Sequence, residues 1–101
     1  MSEPVLEIFR SCTPIFQALG DAARQDIILL LAKHDTLTVN QIAEQSHLSR
    51  PAISHHLKVL RDNGLVAIEQ KGTQRYYSLS LDQSVDLLKQ LISKIEEECD
   101  L

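Results

Sequence analysis

Residues 49–64 read SRPAISHHLKVLRDNG, and the fold turns on how this run is read. Ser49 is a good first cap for a helix, because its hydroxyl can accept a hydrogen bond from a first-turn amide. Pro51 is tolerated in that turn, where amides have no helical partner. Asn63-Gly64 closes the helix, since glycine readily takes the left-handed backbone that a helix end requires. At 100° per residue, Ile53, Leu57 and Leu60 fall within about 60° of arc and form a buried stripe. Ser54, His55 and Lys58 point away from that stripe, with Arg50 at the exposed first turn and Arg61 on the flank. The adjacent histidines diverge by about 100°, so they cannot close on one metal ion, which takes helical histidines three or four apart. His55 is expected outward, and His56 is expected as a partly buried ring with one nitrogen satisfied.

Upstream, Thr38 and Gln41 have the spacing of a capping box, and Val39, Ile42 and Ala43 supply the buried face of a short third helix. About three residues join it to the fourth, the connection of a helix-turn-helix. Downstream the period changes to alternation: LVAIEQ and QRYYSLS read as two strands around a Lys71-Gly72-Thr73 turn, with one of Tyr76 and Tyr77 in the core. Near the start, Val5, Ile8, Phe9 and Cys12 define a first helix, which Pro14 is expected to break before PIFQALG resumes behind Thr13. Gly20 stops it, and Asp21 caps AARQDIILLLAKH, whose apolar density predicts a helix through the centre of the domain. Leu81, Val85, Leu88, Ile92, Ile95 and Cys99 recur at steps of four and three, a long last helix with a heptad-like edge.

The expected fold is therefore mainly α with a small β-hairpin, a winged helix-turn-helix in the order α-α-α-α-β-β-α. One domain is expected over residues 1–101, with the helix-turn-helix at about 38–63, the wing at about 65–79 and dimerisation helices at about 4–19 and 81–99. The last helix carries more apolar face than one small domain can cover, so the first and last helices are expected to pair in a homodimer. Ile8, Phe9, Val85, Leu88, Ile92 and Ile95 are the residues expected at that interface.

Charge is unevenly placed. The net charge is −4, but residues 1–35 carry −2, residues 36–80 carry +2 and residues 81–101 carry −4. Three of the four histidines also fall in the basic middle, so an electropositive patch sits on an acidic frame, the pattern of a nucleic-acid partner. The opening MSEPVLEIFRSC has neither the apolar run of a membrane span nor the form of a signal peptide, so a cytoplasmic protein without a membrane partner is expected. Cys12 and Cys99 form no CxxC pair and are expected as free thiols. A Gly-rich phosphate loop, a GxSxG elbow and a metal-ligand cluster are all missing from the sequence, so neither catalysis nor a cofactor is expected.

LGDAARQDIILLLA, LTVNQIAEQSHLSRPAISHHLKVLRDNGLV and KGTQRYYSL together resemble the ArsR family of winged-helix repressors, also called the ArsR/SmtB type. The likeness is close over roughly residues 16–80 and positional in the flanking helices. It implies a DNA-binding transcriptional regulator, a repressor released from an imperfectly palindromic double-stranded operator by an effector or by thiol oxidation. The contrasting reading is a winged-helix module that binds protein. For DNA, Arg50, Ser54 and His55 are expected to read bases from the helix that Ser49 opens, while Lys58 more often meets phosphate. Thr38 and Gln41 offer donors to a phosphate, although capping alone would explain them. Lys71, Thr73, Gln74 and Arg75 form the wing tip, with Arg75 best placed for a minor groove or backbone. Arg24 reads as part of a cap and surface pair, and the resemblance adds a phosphate or intersubunit contact.

Many members of this family sense metals, and here the chain departs from the pattern. Where the sensor motif has a CxC in its third helix, TLTVNQI has Thr38 and Asn40. The other common site needs histidines in the last helix. Asp82 and Glu97 or Glu98 could stand for its acids, yet no histidine follows His56, so no metal site is expected. Paired cysteines are a third sensing device in the family. Cys12 and Cys99 could meet if the first and last helices pack together, within or between subunits, or could simply be two buried thiols.

Overall fold

The structure, a computed structural model, describes residues 2–99; the outer limits 1 and 101 of the expected domain, and Asp100 of the acidic end, lie outside the described residues. Its elements are α1 (Glu3–Leu19), α2 (Ala22–Lys33), α3 (Val39–Glu44), α4 (Arg50–Asp62), β1 (Val66–Lys71), β2 (Gln74–Leu79) and α5 (Asp82–Cys99). This is the expected winged helix-turn-helix order.

Local chemistry accounts for most boundaries. The Ser49 hydroxyl accepts from the Ala52 amide at 3.3 Å and starts α4. At the other end the Gly64 amide donates to the Arg61 carbonyl and the Leu65 amide to the Leu60 carbonyl, the paired bonds of a Schellman motif, with Gly64 at φ 73°. Leu65 and Leu60 are both buried, which supplies the apolar contact that accompanies such an ending. β1 and β2 pair antiparallel in a register that sets Lys71 opposite Gln74, leaving Gly72 and Thr73 as a two-residue loop.

The core gathers Ile15 and Ala18 of α1, Ile27 and Leu31 of α2, Ile42 of α3, the α4 stripe Ile53, Leu57 and Leu60, and Tyr77 of β2. Tyr77 is the buried tyrosine of the alternating pair, and Tyr76 is half-buried. One connection has no sequence pattern behind it: the Leu37 amide donates to the Tyr77 carbonyl at 3.0 Å and the Tyr77 amide returns a bond at 2.9 Å. This single bridge adds a short third rung to the wing and pins the start of α3 beside β2.

Two expectations need correction. α1 does not break at Pro14 but runs through it as one helix. Proline removes one amide donor and crowds the carbonyl four residues back, here Arg10, which lies on the exposed face where water can serve it. The continuous buried row Val5, Cys12, Ile15 and Ala18 outweighs that local cost. α2 is not enclosed at the centre: only Ile27 and Leu31 are buried, and Leu29 is 57% exposed. Its apolar residues outnumber the positions that face the core.

α1 lies antiparallel along α5. The Cys12 thiol approaches the Leu87 carbonyl at 3.9 Å, while the Ser2 amide donates to both Glu98 carboxylate oxygens at 3.3 and 3.2 Å. Hydrogen bonding to Ser2 holds the Glu98 carboxyl below the usual glutamate range. No helix among the described residues is long and apolar enough to cross a membrane.

Candidate nucleic-acid interface

α4 presents two faces of opposite chemistry. Ile53, Leu57 and Leu60 are fully buried, whereas Arg50, Ser54, His55 and Lys58 are exposed along the outward arc. The Lys58 ammonium donates to the Asp62 carboxylate at 2.8 Å, and that hydrogen bond is the main reason the Asp62 carboxyl sits below its ordinary range. Both partners are open to solvent, so the pair is weak and Lys58 can exchange Asp62 for another anion. The two histidine rings have centroids 5.8 Å apart and planes tilted by 55°. His55 is exposed, while His56 is half-buried with its Nδ1 at 3.4 Å from the Arg24 guanidinium.

At the start of α3 the capping box is complete. The Thr38 hydroxyl accepts from the Gln41 amide at 3.1 Å, and the Gln41 side-chain oxygen accepts from the Thr38 amide at 2.9 Å. Capping therefore occupies both acceptor atoms and leaves the Gln41 amide nitrogen and the Thr38 hydroxyl proton as outward donors. The Leu37–Tyr77 bridge then sets this helix start against the wing. Between them opens a cleft of about 260 Å³ lined by Thr38, Asn40, Ser54, Thr73, Gln74 and Arg75, with Val39 and Tyr77. Five expected site residues meet there, from α3, α4 and the hairpin. Arg50, His55 and Lys58 continue outward along α4, Gln41 lies on the exposed side of α3, and Lys71 stands at the end of β1. The Lys71 ammonium lies 5.7 Å from the Tyr76 ring centroid and 4.0 Å from Glu69.

Asn40 was missed by sequence reasoning. It drew notice only as a replacement for a thiol, and nothing in its spacing foretold that a backbone bridge would turn it toward Ser54 and the wing. Arg24 is drawn into contacts within the protomer, and its side chain is only 15% exposed.

Cys12 is buried between α1 and α5 and Cys99 is exposed at the end of α5. Burial pushes the Cys12 thiol above its ordinary range. Cys12 packs at the level of Leu87, about 18 Å of helix rise from Cys99. A disulfide needs Cα atoms within about 7 Å, so the packing of α1 on α5 does not bring the two thiols together within one subunit. Among the described residues, no three His, Cys, Asp or Glu side chains converge as a metal-ligand set. A cavity of about 470 Å³ lies apart from the polar arc of α4, between α2, α3 and the turn after it, over Ile27, Leu30, Ile42 and Leu48.

A capped third helix, a short turn, a fourth helix with a polar outward face and a hairpin directly after it define a winged helix-turn-helix protein. Known proteins agree. The family model described as bacterial regulatory protein, arsR family, matches residues 21–67. The transcriptional repressor SdpR of Bacillus subtilis is 36% identical over 83 residues, covering 79% of this chain and 91% of that one. The HTH-type transcriptional regulator MJ1325 of Methanocaldococcus jannaschii is 32% identical over 84 residues, covering 83% and 94%. Among solved structures, the homodimeric winged helix-turn-helix DNA-binding domain Mb0332 from Mycobacterium bovis superposes with a TM-score of 0.71 at 25% identity, covering 94% of this chain and 89% of that one. The chain belongs to the arsR family of DNA-binding transcriptional regulators.

Proposed function

We propose that this protein is a homodimeric repressor that reads a roughly palindromic operator with α4. The observation that carries this reading is the sorting of α4 into a buried apolar stripe and an exposed arc of Arg50, Ser54, His55 and Lys58 that continues into the cleft shared with the wing. Arg50, Ser54 and His55 contact base edges, and Ser49 stands at the entry of the helix. Lys58, Arg75, Lys71, Thr73 and Gln74 hold the backbone, together with the free donors of Thr38 and Gln41. An apolar arc with acids at positions 50, 54, 55 and 58 would have favoured a protein partner, and those positions hold arginine, serine, histidine and lysine.

The dimer forms through α1 and α5. Phe9 and Phe16 stack edge to face at 6.3 Å on the outer side of α1, and Val85 and Ile92 stand exposed on α5 with Leu6 nearby in sequence to Phe9. Ile8, Leu88 and Ile95 are half-buried beside them. Homodimerisation of the Mb0332 domain supports this pairing, and the name of SdpR supports repression. The regulator acts in the cytoplasm, where its operator is, and leaves the DNA when an effector binds or a thiol is oxidised. Of the two cysteines, Cys99 is the one open to an oxidant.

The test is a footprint on the gene's own promoter, with and without metals, peroxide and polysulfide. Protection of two half-sites about one helical turn, ~10 bp, apart is the expected result. A folded dimer that protects no DNA would transfer the reading to protein binding.

A further inference from the structure

The LGDAAR run and His56 lie off the exposed arc of α4, and they meet, half-buried, where α1, α2 and α4 come together. α1 ends at Leu19, and a helix leaves its last four carbonyls without helical partners. Three of these are served from α2: the Arg24 Nε donates to the Ala18 carbonyl at 2.7 Å, the Arg24 Nη2 to the Gln17 carbonyl at 3.1 Å, and the Gln25 side-chain amide to the Leu19 carbonyl at 2.8 Å. The remaining edge of the guanidinium, Nη1, faces His56 Nδ1 at 3.4 Å and the Asp21 carboxylate at 4.0 Å. Arginine can only donate, so His56 accepts through Nδ1 and carries its proton on Nε2. One planar, always charged group thus touches the end of the dimer helix and the flank of the reading helix. His56 sits next to His55, so its ring fixes the rotation of the very turn that presents His55 outward.

We propose that Arg24 and His56 are positioning residues for operator recognition: they lock α4 to the end of α1 and so set the distance between the two reading helices of a dimer. This deepens the proposed function and rests on it. Two half-sites are read together only if the two α4 helices keep a fixed separation, and that separation is transmitted from the dimer seam through α1, Arg24 and His56. The Asp21 carboxylate approaches the same Nη1 at 4.0 Å and supplies the cluster's negative charge.

The experiment measures binding of the full-length dimer to three DNAs: the operator, a single half-site, and operators with one base pair inserted or removed between half-sites. Arg24→Met keeps the stem and removes every donor. His56→Phe keeps the ring shape and removes the acceptor, and His56→Asn keeps an acceptor near the position of Nδ1. The expected result is about a tenfold loss on the operator for R24M and H56F, with half-site binding unchanged and the preference for native spacing flattened. H56N restores the preference, and the R24M/H56F double variant is no worse than either single one. Melting curves establish that each variant is folded, and the histidine pair carries the test by itself if R24M is not. Variants that keep wild-type spacing preference, or that lose affinity equally on all three DNAs, overturn the positioning role alone. A wild-type dimer with no spacing preference overturns the operator reading as well.

Discussion

Arg50 and Lys58 share one exposed arc of α4, and their chemistry divides their tasks. A guanidinium offers a rigid fork that can pair with a guanine edge, whereas an ammonium is a point charge suited to phosphate. Arg50→Ala is accordingly expected to cost about 1–3 kcal/mol and to relax the preference at one operator position. Lys58→Ala or Arg75→Ala should weaken binding to all sequences and reduce the salt slope by about one. Competition against operators with single base changes, repeated across a salt series, separates the two behaviours. Asp21 has a different residue-scale role. Its carboxylate accepts from the Arg24 amide, and that bond, with the nearby Arg24 charge, keeps its folded-state pKa low. A lowered carboxylate contributes stability above its unfolded pKa, ~3.9, and loses it as pH falls through the folded value. Asp21→Asn keeps a capping oxygen but cannot ionise. The gap in melting temperature between the two proteins should therefore be widest near neutrality and close on acidification, and a gap independent of pH would contradict this. The outward place of His55 was legible because helical phase alone decides it. That of Asn40 was not, because it depends on a bridge between residues forty positions apart.

Among the elements, α4 was the most legible, since its cap, stripe and ending are all local. Gly64 is a point where its ending depends on residue type. A Cβ there would meet nothing within 4 Å, so the penalty for Gly64→Ala is the left-handed backbone itself, about 1–2 kcal/mol. Leu57→Ala, at a fully buried position on the same helix, should cost more, about 2–5 kcal/mol. Urea denaturation of the two variants ranks them, and equal midpoints would mean that the Schellman ending is worth as much as the stripe. α1 was misread for the opposite reason. Proline is a strong local signal against a helix interior, but the row from Val5 to Ala18 is buried largely by α5, a partner that lies far away in sequence. That expected break hid Phe16 from the apolar face of α1, because it assigned Phe9 and Phe16 to separate segments.

At the scale of the whole molecule, the exposed apolar face of α1 and α5 is the feature most in need of a partner. Ile92 is 56% exposed and outside the core, so Ile92→Glu should leave the protomer folded, shift it to monomer in sedimentation, and weaken operator binding through the loss of the second reading head. An I92E protein that remains dimeric would move the seam elsewhere. The heptad-like steps of α5 made half of this face legible, and Phe16 joins it only once α1 is seen as one helix. The docking of α1 on α5 also bears on the order of events in folding. The Ser2–Glu98 contact joins residues 96 apart, whereas the helix-turn-helix and wing form from neighbours along the chain. Long loops close late because their ends must surrender more freedom before any contact rewards them. The helix-turn-helix and wing are therefore expected to assemble before α1 docks on α5. Truncating Val5 to Ala should accelerate unfolding while leaving the refolding rate nearly unchanged, the kinetic mark of a contact made after the barrier.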